Sequence, residues 1–227
     1  PAVQWKLVKL SGDHHLLVVD AAALCADSRS IIEIAQEVSR AYASALRAGS
    51  EAVVQDAANE TEAPLQYADI AQWQNELLES DDAQTVFSYW QGHGLSLADS
   101  LILPLESGRR ALDFKPQSIT VELPAELRSG MSQALEHLNT TASHFLLASW
   151  CVLIRRLTGV ADLVVGTCSD GRTYEELEHA LGPLARYVPV CAAVNDETNF
   201  RELVTAIGSG VQQAVERQEY FVWDRII

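Results

Sequence analysis

An α/β layer fold is what this sequence predicts, on three observations. Short apolar strands alternate with helical stretches along the chain. The helical stretches open on capping signals such as Asn199 with Glu202. Turn-forming clusters, Ser11-Gly12-Asp13 and Ser169-Asp170-Gly171-Arg172, fall where the period changes.

The elements follow in order. Val3, Trp5 and Leu7 alternate with Gln4 and Lys6, which predicts a half-buried strand. After the turn at Ser11-Gly12-Asp13, His15 to Ala23 reads as a second strand centred on Leu16-Leu17-Val18-Val19. The segment from Ala22 to Asp27 then leads into a helix. Ser30 and Glu33 have the spacing of a capping box, and Ile31, Ile34, Ala35, Val38, Tyr42 and Leu46 form its stripe, with Gly49 as the stop. Residues 50–63 read as an acidic surface loop. Two helices follow, Tyr67 to Glu79 and Asp82 to Gln91, whose Tyr67, Trp73, Tyr89 and Trp90 fall at helical spacings and are read as core.

From Gly92 to Lys115 the periodicity fades, near Pro104, Gly108 and Pro116, as in a connection between lobes. The expected organisation is part of an N-terminal lobe over 1–92, an inter-lobe connection over 93–117 and part of a C-terminal lobe over 118–227. Ser118 to Leu123 alternates like a strand, and Pro124 takes the first helical position of the next helix. A further helix starts at Thr140-Thr141, is apolar on most faces through Ile154 and is expected to be buried. Asp162 to Thr167 and Val188 to Val194 are strands, and Asn199 with Glu202 caps the last helix.

The 227 residues are enough for one or two domains with a substantial core. Sixteen Lys and Arg against 31 Asp and Glu give a net charge of −15, which excludes a general nucleic-acid binder because phosphate binding needs a basic surplus. No apolar run reaches the roughly 18–20 residues of a membrane span. The longest, Phe145 to Leu157, is broken by Ser149, Arg155 and Arg156, and no signal-peptide pattern is present. Cys25, Cys151, Cys168 and Cys191 stand far apart among apolar or small residues and read as buried thiols of a cytoplasmic protein, with Cys25 and Cys168 the candidates for reactivity. No metal site is expected. His14 and His15 with Asp13 and Asp20 are the nearest thing to one, but neighbouring side chains on a strand point to opposite faces.

Several segments, in order, carry a resemblance. They are Leu65-Gln66-Tyr67-Ala68-Asp69-Ile70-Ala71-Gln72-Trp73-Gln74; Phe145 to Trp150 with Leu157-Thr158-Gly159; Asp162 to Thr167 followed by Gly171-Arg172; Glu176-Leu177-Glu178, Leu181-Gly182 and Tyr187-Val188-Pro189-Val190; and Phe200-Arg201-Glu202-Leu203 with Gln218-Glu219-Tyr220. Together they resemble the condensation domains of nonribosomal peptide synthetases, relatives of chloramphenicol acetyltransferase. The resemblance implies a chloramphenicol-acetyltransferase-like two-lobe α/β fold, of which this chain would be the central part, with companion segments covering apolar surface it leaves exposed. It implies amide-bond formation between a donor acyl thioester and an acceptor amine. Both substrates would be tethered through phosphopantetheine on carrier proteins, beside an adenylation domain, and no bound cofactor is implied. Carrier proteins are typically acidic, so a chain of charge −15 would have to dock them through a local basic or apolar patch.

The family's chemistry rests on H-H-x-x-x-D-G, and here the sequence departs. Asp20 is one residue too far from His14-His15, whereas Asp27 stands at the entrance of the helix carrying Tyr42, the place the motif's aspartate occupies. In that register the two histidine positions are Ala22 and Ala23, so no catalytic histidine is intact. The resemblance pairs Asp27 with Arg172 in a salt bridge that shapes the site; the plainer reading of Asp27 is a carboxylate at a helix N-terminus. Three functions stay open: a condensation domain with impaired catalysis, a non-catalytic scaffold or docking domain within the megasynthase, and a stand-alone acyltransferase using Cys25.

Overall fold

A computed structural model describes residues 3–48, 65–92, 101–104 and 117–223. The chain divides into two compact units, Pro1–Ala83 with Cys168–Tyr187, and Gln84–Thr167 with Val188–Ile227. The expected helix stop at Gly49, the acidic loop over 50–63 and most of the connection over 93–117 lie outside the described residues.

In the first unit, β1 (Val3–Ser11) and β2 (His14–Ala21) form an antiparallel hairpin that pairs Trp5 with Val19 and Leu7 with Leu17. Gly12 makes its turn at a φ of +43°, which a residue without Cβ adopts freely. The strand expected over His15 to Ala23 ends two residues early, because Ala23-Leu24-Cys25 turn and the Cys25 N–H donates to Ala22 O. The hairpin is more exposed than its alternation predicts, with Trp5 half-exposed and Leu7 more so. Next come α1 (Ser28–Ala48) and α2 (Tyr67–Glu79). Ile70 of α2 joins Leu177, Ala180 and Leu184 in a small core that Trp73 covers.

The second unit holds most of α3 (Asp81–Gly92), then α4 (Ala125–Leu138), α5 (Ala142–Thr158) and α6 (Phe200–Glu216), with most of β3 (Asp162–Ser169) and β4 (Arg186–Ala193). The two strands form a sheet whose ends meet at Val194 N–H to Ala161 O, 2.8 Å. Ala148, Cys151 and Ile154 of α5, Leu163 of β3, Ala192 and Val194, and Leu203, Val204 and Ile207 of α6 make the main core. A second cluster gathers Trp90, Val188, Val190, Ala214 and Phe221. The α6 start has the capping box expected of it: Asn199 Oδ1 accepts the Glu202 N–H at 3.0 Å and Glu202 returns a bond to the Asn199 N–H.

Four expectations need correction here. Residues 117–124 form no strand: Ile119 and Val121 alternate but are largely exposed, and no strand among the described residues pairs with them. Pro124 precedes its helix as the N-cap rather than occupying the first helical position. The α5 helix buries one face only; Leu146, Trp150, Leu153 and Leu157 fall on a stripe that is about half-exposed. Of the four cysteines, all free, only Cys151 is buried, and burial pushes its thiol up to about 11. Cys25, Cys168 and Cys191 are exposed. Apolar neighbours in sequence decide nothing about burial when the chain turns or when alternate strand residues face outward.

Candidate functional site

The residues that sequence reasoning assigned to the motif sit where β2 gives way to α1. Ala22 and Ala23 are exposed, at the start of a turn closed by the Cys25 and Ala26 N–H groups on Ala22 O. Methyl groups accept and donate no proton, so neither Ala22 nor Ala23 can act as a general acid or base; the titratable side chain in the turn is the exposed thiol of Cys25. His14 and His15 lie at the far end of β2, both exposed. Among the described residues, no three His, Cys, Asp or Glu side chains gather as a metal would require.

Four residues on, the backbone enters α1 through Asp27. Its Oδ1 accepts the Ser30 N–H at 2.8 Å, so Asp27 is the N-cap and Ser30 the third helical residue. The capping box expected from Ser30 and Glu33 therefore does not form. Glu33 is buried and pairs instead with Arg29 at 2.9 Å and with His179 at 3.2 Å.

Asp27 does more than cap. Arg172 Nη1 donates to its Oδ2 at 2.9 Å and Nη2 to its Oδ1 at 3.1 Å, a two-pronged pair with side chains only 2 % and 8 % exposed. The Leu184 and Ala185 N–H groups also donate to Oδ2, at 3.0 and 2.9 Å. The rest of the guanidinium is used as well: Nη1 donates to Asp170 O, and Nε and Nη2 to Ala180 O. The fully buried Ser30 hydroxyl donates to Gly182 O and accepts the Gly182 N–H. One carboxylate thus joins the start of α1 to the loop between β3 and β4, within the first unit.

Gly171 and Gly182 are the backbone counterparts of this node. Gly171 sits at a φ of +71°, and a Cβ there would lie 2.0 Å from Leu184 O. A Cβ on Gly182 would meet the Tyr67 ring at 2.5 Å. Sequence reasoning named Asp27 and Arg172 but missed Ser30 as their third member. The signal was present in Asp27-x-x-Ser30, the spacing that puts a serine N–H over a capping aspartate.

Burial pushes the Asp27 carboxyl up, but the hydrogen bonds from Arg172, Ser30 and Ala185 outweigh it and hold the group well below the usual carboxylate range. The sign for stability follows. Since the folded value is depressed, the stabilisation is fully present above the unfolded value of about 3.9 and is lost as pH falls towards the folded value. The expected result is an Asp27 carboxyl ¹³C resonance that keeps its ionised position through the acidic range where unpaired carboxylates titrate, near 4. Titration of Asp27 near 4 would contradict the buried pair.

With this geometry in view, comparison places the chain among known proteins. The sequence model of the family described as "Condensation domain" matches residues 1–222. Tyrocidine synthase 2 of Brevibacillus parabrevis is 28% identical over 221 residues, covering 97% of this chain and 6% of that protein. Among solved structures, the X-domain from teicoplanin biosynthesis superposes with a TM-score of 0.77 at 24% identity, over 99% of this chain and 50% of that one. The first condensation domain of the calcium-dependent antibiotic synthetase does so at 0.75 and 20% identity, over 96% of this chain and 48% of that one. The chain spans about half the length of these solved domains and a small part of the synthase.

Proposed function

The chain belongs to the condensation-domain family, and on that premise we propose that it forms part of a nonribosomal peptide synthetase working in the cytoplasm. The family reaction is attack of an acceptor amine on a donor acyl or aminoacyl thioester. The amine nitrogen bonds to the thioester carbonyl, the carbon–sulfur bond breaks, the amine gives up a proton and the thiol leaves. Both substrates would arrive on phosphopantetheine arms of carrier proteins, supplied by a neighbouring adenylation domain. The observation that carries this reading is the family match over residues 1–222, which takes in both the Asp27 and the Arg172 segments.

In the proposed register Ala22 and Ala23 replace the motif histidines, and Asp27 with Arg172 hold the turn that would present them. Imidazole suits this step because it accepts and returns a proton near operating pH, a contribution of typically ~10²–10⁴-fold that alanine cannot make. Positioning two tethered reactants can still remove roughly 7–11 kcal/mol of the barrier. Impaired turnover is therefore the leading reading. The alanines also favour a second one, a non-catalytic scaffold or docking domain that keeps the fold and has given up the chemistry.

A condensation assay with carrier-bound donor and acceptor separates the two, run on the full-length protein with and without Ala23→His. Product from the wild type supports the impaired enzyme and excludes the scaffold. Product only from Ala23→His supports a scaffold descended from an enzyme. Wild-type turnover that survives Cys25→Ser removes the cysteine-dependent acyltransferase.

A further inference from the structure

A groove of about 410 Å³ opens on the first unit, between α2 and the short 3₁₀ helix Glu175–Leu177. This lies within the roughly 300–1,000 Å³ span of small-molecule sites. Leu65, Ile70 and Leu177 supply apolar lining. Trp73 and Tyr174 form a corner, their ring centroids 5.3 Å apart and their planes at 84°. Trp73, expected to be core, is only partly buried and faces this space.

Two carboxylates, Asp69 and Glu176, complete the lining. One oxygen of Asp69 accepts the Gln66 N–H, which fixes that side chain at the mouth of α2. The two wall segments, 65–80 and 173–178, carry Asp69, Glu76, Glu79, Glu175, Glu176 and Glu178 and no basic residue, and the basic residues that flank the second, Arg172 and His179, are engaged by Asp27 and Glu33. An anionic ligand would meet repulsion from both sides. A cation set against an indole or phenol face gains from the ring quadrupole, more so where water is partly excluded. An apolar body on that cation gains in addition from the leucine and isoleucine surface.

We infer that this groove is a binding site for an apolar organic cation of the arylalkylammonium class. The inference does not rest on the condensation reading, and its test uses no carrier protein or thioester. Phenethylammonium is titrated into the chain while the Trp73 indole N–H resonance, assigned by its loss in Trp73→Phe, is followed by NMR. Phenylacetate and phenethyl alcohol serve as the anionic and neutral probes of the same shape. Saturable movement of the Trp73 signal with phenethylammonium, and none with phenylacetate, is expected. Glu176→Gln should weaken the binding roughly two- to fivefold, and the distant Glu197→Gln should leave it unchanged. Equal binding of phenethyl alcohol, no response at Trp73, or an unchanged affinity in a folded Glu176→Gln variant would each overturn the inference.

Discussion

Replacement of Arg172 by alanine is expected to destabilise the protein by about 3–5 kcal/mol, the usual cost of removing one partner from a buried ion pair. For a chain of this size that is a fall in melting temperature of roughly 6–20 °C. The cost is high because Asp27 would keep its charge inside, with two prongs of its solvation gone, and because Ala180 O and Asp170 O would lose their donors at the same time. Arg172→Lys should recover only part of the loss. A lysine ammonium is a point charge and cannot reach Asp27 Oδ1, Asp27 Oδ2 and Ala180 O in the plane that the guanidinium spans. The control is Asp196→Ala, which breaks a 3.7 Å pair whose carboxylate is 96% exposed and should leave the melting temperature unchanged. A melting curve of Arg172→Ala that overlays the wild type would refute the structural role of the pair.

What could be read in advance divides along physical lines. The α6 start was legible because a capping box is a contract between residues three apart, and Asn199 with Glu202 meets it without outside help. The α1 start was misread because two overlapping patterns, Asp27-x-x-Ser30 and Ser30-x-x-Glu33, both satisfy the same local rule. Tertiary partners decide between them: Gly182 takes the Ser30 hydroxyl, and Arg29 and His179 take Glu33. The strand expected at Ser118 to Leu123 failed for a related reason. Alternation says which side chains share a face, but a strand needs a ladder partner that the alternation does not name. The Asp27–Arg172 assignment came from family resemblance, since a contact across 145 residues leaves no mark in local spacing.

The same logic singles out Gly171, where an added Cβ would make the tightest approach among the described glycines, and Gly171→Ala is expected to abolish cooperative folding of the first unit. Two costs add. An L-residue at a φ of +71° is strained by about 1–2 kcal/mol. The larger cost is steric, because the new methyl would stand 2.0 Å from Leu184 O and 2.8 Å from Leu184 C, both backbone atoms with no rotamer to change. The 184–185 backbone must then move. Moving it pulls two N–H donors off Asp27 Oδ2 and lifts the buried Leu184 side chain from Ile70, Leu177 and Ala180. The expected readout is rapid amide exchange throughout residues 170–185 and the α1 N-terminus, with α6 and the parts of β3 and β4 that belong to the second unit, residues 162–167 and 188–193, still protected. Gly12→Ala is the discriminating control. Its φ is also positive, at +43°, but nothing lies within 4 Å of the added methyl, so it should cost only the strain, about 1 kcal/mol. Equal stability losses in the two variants would mean that conformational strain alone operates at Gly171, and that the approach of Leu184 carries no weight.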